Sequence, residues 1–271
     1  MRRLAIYLGL VCVAAVAVLP ILWGLSTALK TKGEVVTYPP RWIPNPPTLR
    51  NFSVVLQETA MPRHLGNSLL VGLCTIVVTL VVAAHAGYAL ARFSFPGRQA
   101  LAFGILATAM IPGISILVPL YYLAAKAKIY DTYGILVAVY SAWQVPTTMW
   151  LMRGFFEAVP RELDDSALID GCSRWGAFYR VILPLSQPGL AAAALLTFIF
   201  VWNDFLIAFT LTVSDSRRMI AVGLYQFVSQ YGIEWGSLMA AVILALLPVM
   251  GLFLLLQRRF ISGLTAGAMK G

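Results

Sequence analysis

Residues 64–91 read HLGNSLLVGLCTIVVTLVVAAHAGYALA, 28 consecutive positions without Asp, Glu, Lys or Arg. A helix rises about 1.5 Å per residue, so roughly 20 apolar residues cross the roughly 30 Å of bilayer hydrocarbon. Working outward, the same test is met by 99–125, 132–152, 181–203 and 235–257, of 27, 21, 23 and 23 residues, and by Leu4–Leu29. The sequence therefore predicts an all-α transmembrane fold with six spans, at about 4–29, 66–91, 101–124, 134–154, 187–212 and 237–257. Arg2 and Arg3 before an apolar run also fit a signal peptide, but the run is long and holds Pro20 and Trp23, which favours a retained helix.

Composition agrees with the spans. The chain of 271 residues is 60% hydrophobic and 11% charged, against about 25% charged in ordinary soluble domains. A net charge of +9 in a soluble domain would suggest nucleic acid. Here Lys and Arg sit at span ends, where membrane proteins keep them, and no nucleic-acid partner is expected. Six spans put both termini on one side. Arg2, Arg3, Arg258, Arg259 and Lys270, with the short basic turn Arg92–Arg98, make that side cytoplasmic.

Several chemistries are excluded. Cys12, Cys74 and Cys172 have no paired spacing, and His64 and His85 are the only histidines, so neither a disulfide framework nor a metal centre follows. No phosphate-cradling Gly-x-x-x-x-Gly-Lys-Ser/Thr and no Gly-x-Ser-x-Gly elbow occur. No catalytic residue is assigned, and the chain is read as no enzyme. Ile111-Pro112-Gly113 and Pro119 predict a kinked third span. The proline-rich stretch after span 1 leads into a short helix from Thr48 to about Glu58, and Asn51-Phe52-Ser53 is read as a chance sequon match.

The scarce charge concentrates in one loop, 157–185, EAVPRELDDSALIDGCSRWGAFYRVILPL, where Glu157, Glu162, Asp164, Asp165 and Asp170 are five of the 11 acids. Glu162–Asp170 reads as a short helix with acids in its first turn, where the dipole favours them, and Gly171 as its left-handed stop. Ser173 then caps a second helix, in which Trp175, Phe178, Tyr179 and Ile182 form one apolar stripe at i, i+3, i+4 and i+7. Pro184 is expected to end that helix and Pro188 to begin span 5. By periodicity alone such a stripe also suits a helix lying in the membrane interface.

The spacing within the loop carries a resemblance. Asp165-Ser166-Ala167, three residues, Gly171, nine residues, then Val181-Ile182-Leu183-Pro184 resembles the Glu-Ala-Ala loop of permease subunits of binding-protein-dependent ABC importers, with every spacing kept. Asp, Ser and Val replace Glu, Ala and Ile. Phe200-Val201-Trp202-Asn203-Asp204-Phe205-Leu206 and the tail Gly263-Leu264-Thr265-Ala266-Gly267-Ala268-Met269-Lys270-Gly271 are similar to the carbohydrate-uptake, maltose- and trehalose-type branch.

The resemblance implies a single transmembrane permease domain over 1–271 in a bacterial or archaeal cytoplasmic membrane. It implies a second homologous permease, two ATPase subunits holding ATP and Mg, an extracellular or periplasmic sugar-binding protein, and no cofactor or metal on this chain. The 157–185 loop would be the coupling helix that docks on an ATPase. Glu162, Asp164 and Asp165 would face its basic groups, Gly171 would give the turn, Ala167 would allow close approach, and Ser166, Val181, Leu183 and Pro184 would complete the motif. Gly263, Leu264, Thr265, Gly267 and Lys270, in the cytoplasmic tail 258–271, would contact the ATPases. The cargo would be a sugar, a di- or oligosaccharide, with glycerol phosphate or another polar solute as the alternative. A stand-alone secondary transporter or channel is the reading from another class.

Within the spans, Asp204 is a carboxylate at or near hydrocarbon depth, where an exposed charge costs about 2.5–3.5 kcal/mol. Two readings stay open: Asn203 and Asp204 line the solute path with Gln144, or Asp204 is a buried polar clamp between helices. His85 and Gln144 more often make interhelical contacts. Outside, 213–236 carries Tyr225, Phe227, Tyr231 and Trp235, which suit sugar stacking or an interfacial belt. By resemblance, Gln230, Tyr231 and Gly232 would face the binding protein.

Overall fold

The computed structural model describes residues 2–229 and 232–268. In chain order its helices are α1 (Arg2–Ala28), α2 (Lys32–Val35), α3 (Arg50–Ser53), α4 (Met61–Arg92), α5 (Arg98–Thr108), α6 (Gly113–Lys126) and α7 (Tyr133–Ala158). There follow α8 (Glu162–Ile169), α9 (Arg174–Ala177), α10 (Leu183–Leu185), α11 (Gln187–Asn203), α12 (Leu206–Leu211), α13 (Ile220–Tyr225) and α14 (Trp235–Ala268). Two π-turns, Val54–Glu58 and Phe178–Ile182, extend α3 and α9. Strands β1 (Val228–Ser229) and β2 (Gly232–Ile233) pair antiparallel, Val228 opposite Ile233.

Among the described residues, Ile6–Ala28, Met61–Arg92, Tyr133–Ala158 and Trp235–Gln257 are each long and apolar enough to cross a membrane. Two bent pairs bring the number to as many as six: Arg98–Thr108 with Gly113–Lys126, bent by 86°, and Arg174–Leu185 with Gln187–Asn203, bent by 74°. The third stretch thus breaks where Pro112 predicts. Pro119 does not end α6 but lies inside it. The expected continuous span over 187–212 is corrected: it stops at Asn203 and restarts at Leu206.

The chain forms two compact units. One runs to Asn67 and resumes from Arg218 to Pro248. In it Asn51 Nδ2 donates to the carbonyls of Ala28 and Lys30, both at 2.8 Å, tying α3 to the end of α1. Asn51 is 8% exposed, which leaves no room for a glycan and supports the chance reading of that sequon. The Thr48 hydroxyl accepts the Arg50 N–H at 3.1 Å, but the helix itself is capped at Leu49 without a side-chain bond; the helical stretch ends at Glu58 as predicted, its last five residues being π rather than α.

The second unit runs from Ser68 to Arg217 and continues from Val249. Its core gathers Ala84, Tyr88 and Ala91 of α4, Met152 and Phe156 of α7, Phe178 and Ile182 of the second π-turn, and Ala193 of α11. Helices α7 and α11 cross at Gly189, where a Cβ would lie 2.5 Å from the Phe155 ring, so only glycine permits that approach.

Candidate functional site

The loop before α11 folds as the sequence predicts at its turns. Glu162, Asp164 and Asp165 fill the first turn of α8. At its end Gly171 takes φ +85°, with the Gly171 N–H bonded to Leu168 O at 3.1 Å and the Cys172 N–H to Ala167 O at 2.9 Å. That pair of bonds is a Schellman stop, which needs a residue free of a Cβ at the left-handed position. Ser173 Oγ then accepts the Gly176 N–H at 3.1 Å and caps α9.

The side chains divide differently from expectation. Asp164 does not face outward: the Tyr88 hydroxyl donates to its Oδ1 at 3.0 Å, and Arg92 Nε lies 2.9 Å from its Oδ2, an attraction of charges rather than an aligned hydrogen bond. The two ionic side chains are only 7% and 15% exposed. Arg92 Nη2 also donates to Val159 O at 2.8 Å, and Arg161 Nη2 to Ala91 O at 3.2 Å. Ala167 is buried within the chain, where its small size lets α8 pack closely on the rest of the loop. Glu162, Asp165, Ser166 and Ile169 are exposed at i, i+3, i+4 and i+7 and share the outer face of α8. Ser166 Oγ donates back to Glu162 O at 2.7 Å. Ile169, 86% exposed, went unpredicted; its signal was an isoleucine ending a charge-rich turn just before the glycine stop.

The predicted single stripe of the second helix is corrected too. Phe178 and Ile182 are fully buried, whereas Trp175 and Tyr179 are half or more exposed and lean on His85. The i, i+4 pairs 175/179 and 178/182 lie on adjacent edges of the helix, and only the second edge turns into the core. Pro184 does not end the helix. It follows the π-turn within the helical run Arg174–Leu185, and the break falls two residues later at Ser186. Val181 and Leu183 pack against the core as partly buried residues. His85 Nδ1 lies 2.6 Å from Val81 O, which can only accept, so Nδ1 carries the proton and Tyr179 OH donates to Nε2 at 2.7 Å. His85 thus makes an interhelical contact. A cavity of about 200 Å³ beside α8 is lined by Arg92, Arg161, Arg174, Asp164, Asp165 and Leu168.

Asp204 has the geometry of a clamp. Its backbone is extended (φ −72°, ψ 126°), and Oδ2 accepts from Tyr140 OH at 2.9 Å, Ile207 N–H at 3.0 Å and Ala208 N–H at 3.2 Å. One carboxylate thereby ends α11, caps α12 and holds both to α7 through a fully buried tyrosine. Asn203 is exposed and donates to Ile199 O of its own helix at 2.9 Å. Gln144 is half-buried on α7, one turn beyond Tyr140. No direct contact of Asn203 or Gln144 with the clamp is seen.

Asp131, between α6 and α7, has φ +58°. Its N–H donates to Leu211 O, and its Oδ1 accepts from the Val213 and Ser214 N–H groups at 3.0 and 3.2 Å. Burial alone would raise this carboxyl; the Ser214 hydroxyl, those two backbone donors and Arg217 outweigh it and hold the group below its ordinary value. Of the residues expected to face a binding protein, Gly232 lies in β2, and Gln230 and Tyr231 fall outside the described residues. Helix α14 reaches Ala268, so Gly263, Leu264, Thr265 and Gly267 lie on it, while Lys270 is outside the described residues. No group of His, Cys, Asp and Glu among the described residues forms a metal cage.

Comparison with known proteins matches this geometry to a class. Residues 80–265 match the family of binding-protein-dependent transport system inner membrane components. The sulfoquinovosyl glycerol transport system permease protein SmoH of Agrobacterium fabrum is 33% identical over 252 residues, 93% of this chain and 88% of that protein. The trehalose transport system permease protein SugB of Mycobacterium tuberculosis is 36% identical, covering 96% and 93%. The fold resembles a chain in the crystal structure of a bacterial ABC transporter involved in the import of the acidic polysaccharide alginate, with a TM-score of 0.80, 20% identity and 94% of each chain covered. The chain belongs to the binding-protein-dependent transport system inner membrane component family. It is a multi-pass membrane protein.

Proposed function

We propose that the chain is the membrane-spanning permease subunit of an ATP-driven importer for a di- or oligosaccharide. It works with a second permease, two ATPase subunits that hold ATP and Mg, and an external solute-binding protein; the chain itself catalyses no reaction. It crosses the cytoplasmic membrane six times with both termini inside, the four long helices being joined by the bent pair α5–α6 as span 3 and by α11 with α12 as span 5. The 157–185 loop is the coupling element between spans 4 and 5. The observation that carries this reading is the outer face of α8, where Glu162, Asp165, Ser166 and the exposed Ile169 stand on a short rigid helix closed by Gly171. A single apolar anchor among charges fits helix-in-groove recognition, in which anchors set register and charge sets orientation. Movement of this helix by the ATPases biases two arrangements of the spans.

A sugar cargo is supported by the names of the relatives and by the placement of all 20 basic residues at or beyond span ends, leaving no fixed cation at mid-span for an anion. The sulfonated cargo in the name of the Agrobacterium relative keeps an anionic sugar as the second reading. The test is to purify the complex by a tag on this chain and to replace Gly171 with Leu. A left-handed leucine is strained by roughly 1–2 kcal/mol and should misplace α8, lowering ATP-driven uptake at least tenfold. A chain that purifies alone, or a Gly171→Leu complex that imports normally, overturns the reading. Thermal-shift screening of the cognate binding protein against neutral and anionic sugars decides the cargo.

A further inference from the structure

Three side chains tether the α8 element to the last two turns of α4, and they reach in both directions. From α4, Arg92 reaches Asp164 and, at the C-cap of α7, the carbonyl of Val159, and Tyr88 reaches Asp164. From the loop, Arg161 reaches back to the carbonyl of Ala91. One turn further along α4, His85 holds Tyr179. Phe178 and Ile182 of the same element pack on apolar side chains of all three helices, Ala84, Tyr88 and Ala91 of α4, Met152 and Phe156 of α7 and Ala193 of α11, so the buried ion pair is what the α4 contact adds. Apolar contacts slide at small cost, as in shear motions between packed helices. An ion pair with both side chains nearly buried does not, because separating it strands a charge away from water.

We propose that Asp164, Arg92 and Tyr88 are positioning residues that weld the coupling element to α4, making α4, which is not joined to that element along the chain, a span that follows the ATPase stroke directly. The proposal rests on the reading of 157–185 as the ATPase-docking element. It separates the acids of the loop into two jobs: Glu162 and Asp165 meet the partner, and Asp164 transmits.

The experiment uses the complete importer with its partners, reconstituted in vesicles, and reads solute moved per ATP hydrolysed. Asp164→Asn and Arg92→Gln should keep the ATPases bound yet lower that ratio by on the order of tenfold. The exchange Asp164→Arg with Arg92→Asp should recover most of it. Tyr88→Phe, which keeps the ring packing and removes one hydrogen bond, should lower it about threefold and serves if the charge variants fail to fold. As a second readout, Arg92→Cys with Asp164→Cys, in a chain whose Cys12, Cys74 and Cys172 are replaced by Ser, is joined by a flexible bifunctional thiol reagent. Uptake that survives or improves on linking supports the weld. Uptake abolished by linking and restored by its cleavage overturns it, because the loop would then have to move relative to α4. A normal ratio in Asp164→Asn or Tyr88→Phe with the ATPases bound also overturns the weld and leaves the docking reading standing. Loss of the ATPases from the unmodified chain overturns both.

Discussion

Asp164 and Asp204 are the same residue type, each half-sheltered in an apolar chain, and the structure compensates them in opposite ways. Asp204 is held by three hydrogen-bond donors, with no basic side chain within ion-pair distance among the described residues. Asp164 has one hydroxyl donor and a buried guanidinium. Backbone donors at a helix start cannot be moved without unwinding the helix, so the Asp204 arrangement fixes a bend permanently. An ion pair between two separate elements instead fixes their spacing, while leaving the joined pair free to travel. The contrast implies that carboxylates in such a chain act as joints of different stiffness, and that charge alone does not mark a solute path.

Substitutions that remove one carboxylate at a time sharpen this contrast. The largest effect is expected from Asp164→Leu, which leaves Arg92 buried without its counter-charge and should cost about 3–5 kcal/mol in thermal unfolding in detergent. Asp204→Leu strands the Tyr140 hydroxyl and two N–H groups and should cost about 2–3 kcal/mol in the same assay. The isosteric changes then diverge: Asp204→Asn keeps an acceptor and should cost about 1 kcal/mol, whereas Asp164→Asn still abandons a buried cation. Equal losses for the two asparagine variants would break the comparison.

Ile169→Asp lies on the exposed face and should leave unfolding within about 0.5 kcal/mol of the parent. It should nevertheless weaken capture of the ATPase subunits, measured by co-purification. The smallest effect concerns Asp131. Its folded-state pKa lies below its unfolded value, so its contribution to stability is complete above about pH 4 and disappears as pH falls through the lowered folded value. Asp131→Asn tolerates the positive φ and should remove that acid-side loss from a pH series of melting temperatures.

Much of this was legible in the sequence. Charge-free runs located the apolar stretches, because hydrocarbon admits no other composition, and Gly171 and Ser173 announced the stop and the cap by local chemistry that needs no distant partner. Ile111-Pro112-Gly113 announced the break between α5 and α6 for the same reason. The stripe Trp175, Phe178, Tyr179 and Ile182 divides because its width spans two edges of the helix, and which edge meets the core is set by α4, α7 and α11, distant in the chain. The continuous fifth span was misjudged because Trp202-Asn203-Asp204-Phe205 carries no proline or glycine to signal a break. That break is made by the Asp204 carboxylate reaching forward to Ile207 and across to Tyr140.

The sequence by itself determined the class of architecture, the loop that holds the charge, and the turns within that loop, all properties of composition and of neighbours a few residues apart. Only the tertiary structure decided which acids face outward and which face in. Asp164 and Asp165 are adjacent and chemically alike, and their difference arises from Tyr88 and Arg92, more than 70 positions earlier in the chain, which α4 brings to one side of α8 and not the other. Helical geometry turns neighbouring residues by about 100°, so two consecutive carboxylates cannot share one partner, and the fold assigns each its task.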